Sequence, residues 1–311
     1  MGFLDLFRTP AMDADLTMLT EKQATRLREV GARIVEDRLG PVTVHPRHLE
    51  GPRGERLELE PLAARLAELG AEGDDFLGVV MLHFTLLLDA MTTPRALEAD
   101  GPERALEHAV VGLYAPEDLP AGPTLASREF APGLVQVLAL EQGAGEPDHA
   151  LNQESLDRLG GWDRVQEAAA AGLRRVPEDQ LMRDDDLLFT ALVDVESETA
   201  LRALVGADII EHVEGRRPGP AGYLFSIPDR GVFAWYTIGT ADEAEEAAKQ
   251  MVGWTIQGYQ KGRNAMDPNL FWASEAGIQA VTEIDRQDGS VAFDPRHPAF
   301  ETARRLEAGG R

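Results

Sequence analysis

The sequence predicts an α+β fold: a mainly antiparallel sheet packed with helices, preceded by an N-terminal helical lobe. Three observations carry that expectation. Apolar residues in the first third recur at helical spacing, while strand-like runs in the C-terminal half arrive in pairs joined by short turns. The regular β–α alternation of a doubly wound sheet is missing. With 311 residues, 43% hydrophobic and 27% charged, the chain can bury one large core or two of ordinary size.

Taken in order, residues 15–39 read as a helix, with Leu16, Leu19, Leu27, Val30, Ile34 and Val35 in phase and Gly40-Pro41 as the stop. Val42 to His45 is a short strand candidate, and Gly51-Pro52-Arg53-Gly54 is a turn leading to Leu57-Glu58-Leu59. Helices follow at about 61–69 and 75–92, the second apolar on most sides and so buried. Residues 93–105, rich in Pro, Gly and charge, read as a loop. Leu106 to Tyr114 fits helix or strand, and Gly133 to Leu140 is a strand by its β-branched content. Asn152 or Ser155 caps a short helix, and Trp162 to Arg175 forms an Ala-rich one.

Leu187 to Val195 is a strand, and Ser197 caps a helix to about Val205. Gly222 to Pro228 and Val232 to Ile238 flank Asp229-Arg230-Gly231, which is a hairpin signal. Thr240 or Asp242 caps a helix to about Tyr259, Leu270–Ala273 with Gly277–Ile284 suggests a second hairpin, and Pro298 to Leu306 a last helix. A boundary in the Pro/Gly region 115–125, or near 143–150, gives a mainly helical lobe over 1–115 and a sheet lobe over 125–307. Residues 308–311 read as a disordered tail. No internal repeat stands out.

Net charge is −24, from 54 acidic and 30 basic residues. Such a surface repels phosphate backbones and anionic lipid, so neither nucleic acid nor membrane is an expected partner, and a basic protein is favoured. The absence of cysteine excludes disulfides, thiolate metal sites and a cysteine nucleophile, and fits a reducing, cytoplasmic location. The longest apolar stretch, Phe76 to Met91, is interrupted by His83, Thr85 and Asp89 and falls short of the roughly 18–20 residues a membrane span needs. Residues 1–7 are too short and too acidic for a signal peptide.

Several quoted runs resemble the YtpQ-like family of uncharacterised bacterial proteins, which carries a domain of unknown function. They are Val135 to Leu140, Leu151 to Leu156, the "WDRVQEAAAAGL" run from Trp162, Leu187 to Val195, "GYLFSIPDR" from Gly222, and Asp267 to Trp272. The likeness covers about residues 110–285. Gly172-Leu173 departs from the family's usual Asn-Leu, and Asp267-Pro268-Asn269 from its Ser-Pro. The resemblance implies a cytoplasmic α+β protein and implies no activity.

Catalytic signatures are sparse. No Gly-x-Ser-x-Gly, P-loop or Rossmann fingerprint occurs, and no cofactor is expected. His45 and His48 are a close pair around Pro46, suited to a metal by number but lacking HExxH spacing; His83 reads as a core histidine. Asp184, Asp185 and Asp186 offer hard oxygen ligands without an EF-hand glycine, and read first as a solvated loop. Glu141, Glu146 and Asp148 are a further carboxylate group.

The aromatic cluster has two readings. Tyr223 and Phe225 share one strand face, and Phe233 and Trp235 share a face of the returning strand with Tyr236 opposite. Helix 241–259 packing on that sheet makes them core. The other reading makes Trp235, Tyr236, Arg230, Tyr223 and Trp272 a partner-binding group. The sequence thus points to a non-enzymatic interaction or regulatory protein; the alternative is a metal-assisted or carboxylate-based hydrolase using acids near 141–148 or 184–186.

Overall fold

The first helix, α1 (Glu21–Leu39), starts where Thr20 and Gln23 form a capping box, and it stops at Gly40, whose φ of +98° suits glycine. The structure, a computed structural model, describes residues 11–120, 125–143, 148–182, 186–194, 197–262, 264–284 and 291–309. The helix begins later than its apolar spacing suggests. The Asp13 carboxylate accepts the amides of Asp15 and Leu16, which bends the preceding segment into a turn.

A three-stranded antiparallel meander follows: β1 (Thr43–Val44), β2 (His48–Glu50) and β3 (Arg56–Glu58). Leu49 and Leu57 turn one of its faces into the core shared with α1, α2 (Glu60–Glu68) and α3 (Gly73–Met91). Gly31 lets α1 approach α3 closely, because a methyl group there would stand 2.6 Å from the Phe84 ring. No single described helix is long and apolar enough to cross a membrane.

The expected loop at 93–105 is instead a helix, α4 (Arg95–Ala105), kinked at Gly101 with φ +75° ahead of Pro102. Those two residues suggested a loop, but they bend a helix whose Leu97 and Ala105 are buried. The ambiguous segment after it resolves as β4 (Ala109–Tyr114). It pairs along its whole length with β6 (Leu134–Leu140), which also pairs with β5 (Ser127–Ala131) and β7 (His149–Ala150). The boundary expected at 115–125 therefore separates hydrogen-bonded neighbours, and the segment before it supplies a strand to the second sheet. Two helices, α5 (Gln153–Arg158) and α6 (Trp162–Leu173), pack over that sheet, with Asn152 capping α5.

The largest sheet has six strands, all paired antiparallel as anticipated: β8 (Leu181–Met182), β9 (Thr190–Val193), β10 (Tyr223–Ser226), β11 (Val232–Thr237), β12 (Phe271–Ser274) and β13 (Gly277–Ala280). Their spatial order is β13-β12-β10-β11-β9-β8. One face carries Phe225, Phe233, Trp235 and Phe271 against a 3-10 turn (Thr199–Val205) and α7 (Gly206–Glu214). The helix expected from Ser197 is this 3-10 turn, and α7 extends beyond its expected end until Gly215 closes it at φ +73°.

The opposite face carries Leu224, Ala234 and Trp272 against α8 (Ala241–Lys261) and α9 (Pro298–Gly309). At Gly222 a methyl group would lie 1.9 Å from the Ala273 carbonyl oxygen, so only glycine lets β10 and β12 meet there. A small hairpin of β14 (Thr282–Ile284) and β15 (Val291–Phe293) follows β13.

Candidate functional site: an acidic cleft

The aromatic hairpin folds into a core. Trp235 is fully buried, stacks on Phe233 at 5.3 Å between ring centres, and donates its indole N–H to Glu214 of α7 at 2.9 Å. Tyr223 is buried over Gly206, where a methyl group would stand 2.4 Å from its hydroxyl; burial raises the pKa of that phenol. Trp272 is buried on the other face and donates to the Ala221 carbonyl at 2.7 Å. These three side chains therefore cannot anchor a partner in this fold.

Tyr236 lies half-buried beside the α8-facing cluster, its phenol raised by burial. Arg230 pairs with Glu198 at 3.1 Å and lies over the Tyr114 ring at 5.7 Å. Cross-strand pairing explains the collapse. Phe225 sits opposite both Trp235 and Phe271, so large rings meet on one face and exclude water from one another.

The other sequence candidates are scattered. Asp184, Asp185 and Glu146 lie outside the described residues, while Asp186 is exposed just ahead of β9. Partial burial, then Glu141 and Glu198, raise the pKa of the exposed Asp148 carboxyl.

Periodicity gave no sign of a buried polar junction at the end of α3. Asp89 is fully buried, yet its carboxylate accepts from Arg38 of α1 and from the Ala150 amide at 2.9 Å, with His149 Nδ1 at 3.4 Å. Asn152 donates to the Ala90 and Thr92 carbonyls at 3.3 and 3.2 Å. Desolvation raises the pKa of Asp89 and lowers that of His149. The junction ties α1 and α3 to the second sheet, and its visible sequence signal was one acid inside an apolar run, which demands a partner.

A broad concavity lies elsewhere. A cleft of about 1560 Å³ opens between α2 and the first half of α3 on one side and residues 264–269 and 280–284 on the other. Segment 115–119 and the β5–β6 turn at Pro132-Gly133 close its floor. Seven of its described lining residues are carboxylates: Glu68, Asp74 and Asp75 from the helices, Glu117 and Asp118 from the floor, and Asp267 and Glu283 from the far wall.

Two basic groups line the same walls, and only one of them, Arg65, offsets part of that charge. Arg65 is already paired with Asp118 at 2.6 Å and Glu68 at 3.3 Å. His83 is neutral near pH 7, because burial lowers it to about 4. The far wall is fixed by Asp229, whose carboxylate accepts the Gly231 and Asn264 amides at 2.9 Å each. Asp267 is buried in that wall and accepts the Asn269 amide at 2.7 Å.

Seven carboxylates against one described guanidinium leave the described lining net negative, and the cleft's low-dielectric walls focus that potential. Such a potential favours cationic groups over anionic ones. Compared with protein-family models, curated proteins and solved structures, the chain gave no match.

Proposed function

We propose that this chain is a non-enzymatic, cytoplasmic interaction or regulatory module that takes a basic, extended segment of a partner protein into the acidic cleft. The observation that carries the reading is the convergence of seven carboxylates from separate parts of the chain around one cleft with a single arginine among its described lining residues. The cleft exceeds the roughly 300–1,000 Å³ of ordinary small-molecule sites, which suits a peptide of several residues. The net charge of −24 extends the attraction beyond the cleft and opposes nucleic acid and anionic membrane. The YtpQ-like resemblance adds no activity to this reading.

The test is calorimetric titration with an arginine-rich peptide at two salt concentrations. Saturable binding that weakens with salt is expected. The triple variant Asp74→Asn, Asp75→Asn, Glu283→Gln should lose about tenfold in affinity, or about 1.4 kcal/mol. A control triple on exposed acids outside the cleft, Glu98→Gln, Asp100→Asn, Glu154→Gln, removes equal charge. Equal losses in both variants would overturn the assignment to the cleft.

One observation favours a second reading, carboxylate-based hydrolysis. The raised carboxyl of Asp148 beside Glu141 and Glu198 has the character of a general acid. Turnover in a hydrolase panel that Asp148→Asn abolishes would support it, and no turnover would retire it.

A further inference from the structure

The first meander carries a second cluster that the cleft does not use. The pairing of Thr43 with Glu50 and of Val44 with Leu49 extends to a hydrogen bond from the His45 amide to the His48 carbonyl at 2.9 Å. Pro46-Arg47 is thus a two-residue turn, and His45 and His48 are direct cross-strand neighbours. Side chains alternate along a strand, so His48 and Glu50 share a face, and pairing puts His45 on that face too. Leu49 points the other way, into the core. Three ligand-type side chains are thereby presented together on the outer face.

The geometry is close. The two imidazole rings stack at 4.3 Å with 12° between their planes, and His45 Nε2 lies 3.0 Å from Glu50 Oε2. One ligand atom from each of the three lies within 4.8 Å of the others. Small rotations about the side-chain torsions bring such atoms to the roughly 2.0–2.2 Å that imidazole and carboxylate make with zinc.

The backbone beneath them is held firmly. Arg28 of α1 donates Nε and Nη2 to the Pro46 carbonyl at 2.9 and 2.7 Å, and Asp13 grips the same guanidinium through both carboxylate oxygens at 2.9 and 2.8 Å. Arg47 pairs with Glu60 at 2.6 Å, and its carbonyl accepts the Leu59 amide at 2.9 Å. A turn fixed on both sides loses little further entropy when its side chains gather around an ion.

We infer that His45, His48 and Glu50 form a surface site for a divalent transition-metal ion, zinc being the physiological ion best matched to two imidazoles and one carboxylate. Hard cations such as magnesium prefer all-oxygen sets and bind here poorly. The ion takes the place now occupied by the hydrogen shared between His45 and Glu50. A fourth position is left for water or for Glu58, which pairs opposite His48 on the same face and now contacts Arg56. This site lies apart from the cleft, and its failure would leave the proposed function standing.

The experiment titrates zinc chloride into tag-free full-length protein in excess magnesium, which saturates the acidic surface. One saturable zinc per chain is expected. His45→Ala and His48→Ala should each weaken it by at least about tenfold, Glu50→Gln by less. Cobalt in place of zinc should give visible absorption that the two histidine variants lose. Both rings are only half-buried, so the fold should survive, and circular dichroism checks it. Absence of saturable binding, or stoichiometric binding unchanged in the double histidine variant, would overturn the site.

Discussion

The aromatic hairpin and the acidic cleft each gather side chains of one kind, with opposite outcomes. Rings close together in sequence on β10 and β11 meet across the strands and remove one another from water. The cleft's acids, spread from Glu68 to Glu283, converge on one opening, and all but the buried Asp267 stay beside solvent. Neighbouring apolar side chains stabilise each other by leaving water. Charges cannot, so a group of like charges brought together across distant segments keeps a net potential that a counter-charge can answer.

The largest effect that tests this contrast is on stability. Trp235→Ala should cost about 3–5 kcal/mol, by losing the ring's packing on Phe233 and leaving Glu214 without its indole donor. Denaturant unfolding measures it. A variant that kept its stability and lost only partner binding would restore Trp235 as a docking residue.

Smaller is the pH effect of His83 in the cleft wall. Its folded-state value near 4 lies below the ordinary histidine value of 6.5. The unfolded chain therefore binds its proton first, and stability falls as pH drops from 6.5 to 4. The upper bound is about 3 kcal/mol, reduced by the ring's partial exposure. His83→Leu should flatten that part of the stability–pH curve, and an unchanged curve would show that another group carries it. Least is expected at the hairpin tip. Arg230→Ala breaks a partly exposed ion pair with Glu198 and should shift stability by no more than about 1 kcal/mol. A larger loss would give the tip a structural role that its exposure does not suggest.

Legibility in the sequence follows the same division. The Asp229-Arg230-Gly231 turn, the faces of β10 and β11, the stop of α1 at Gly40 and the N-caps of α5 and α8 were readable, because each depends on residues a few positions apart. Helix α4 was not, since Gly101-Pro102 bends a helix and ends a loop with equal ease. Neither the cleft nor the Arg38–Asp89–His149 junction was readable, because both join segments from remote positions. The metal cluster lies between these cases. His45 and His48 were visible as a pair, but only the two-residue turn puts Glu50 on their face.

Hydrogen exchange with and without an arginine-rich peptide tests the central claim most directly. Added protection is expected over residues 65–83 and 264–284, the two walls of the cleft, with 223–237 unchanged. Protection confined to 223–237, with the cleft walls exchanging as before, would contradict it.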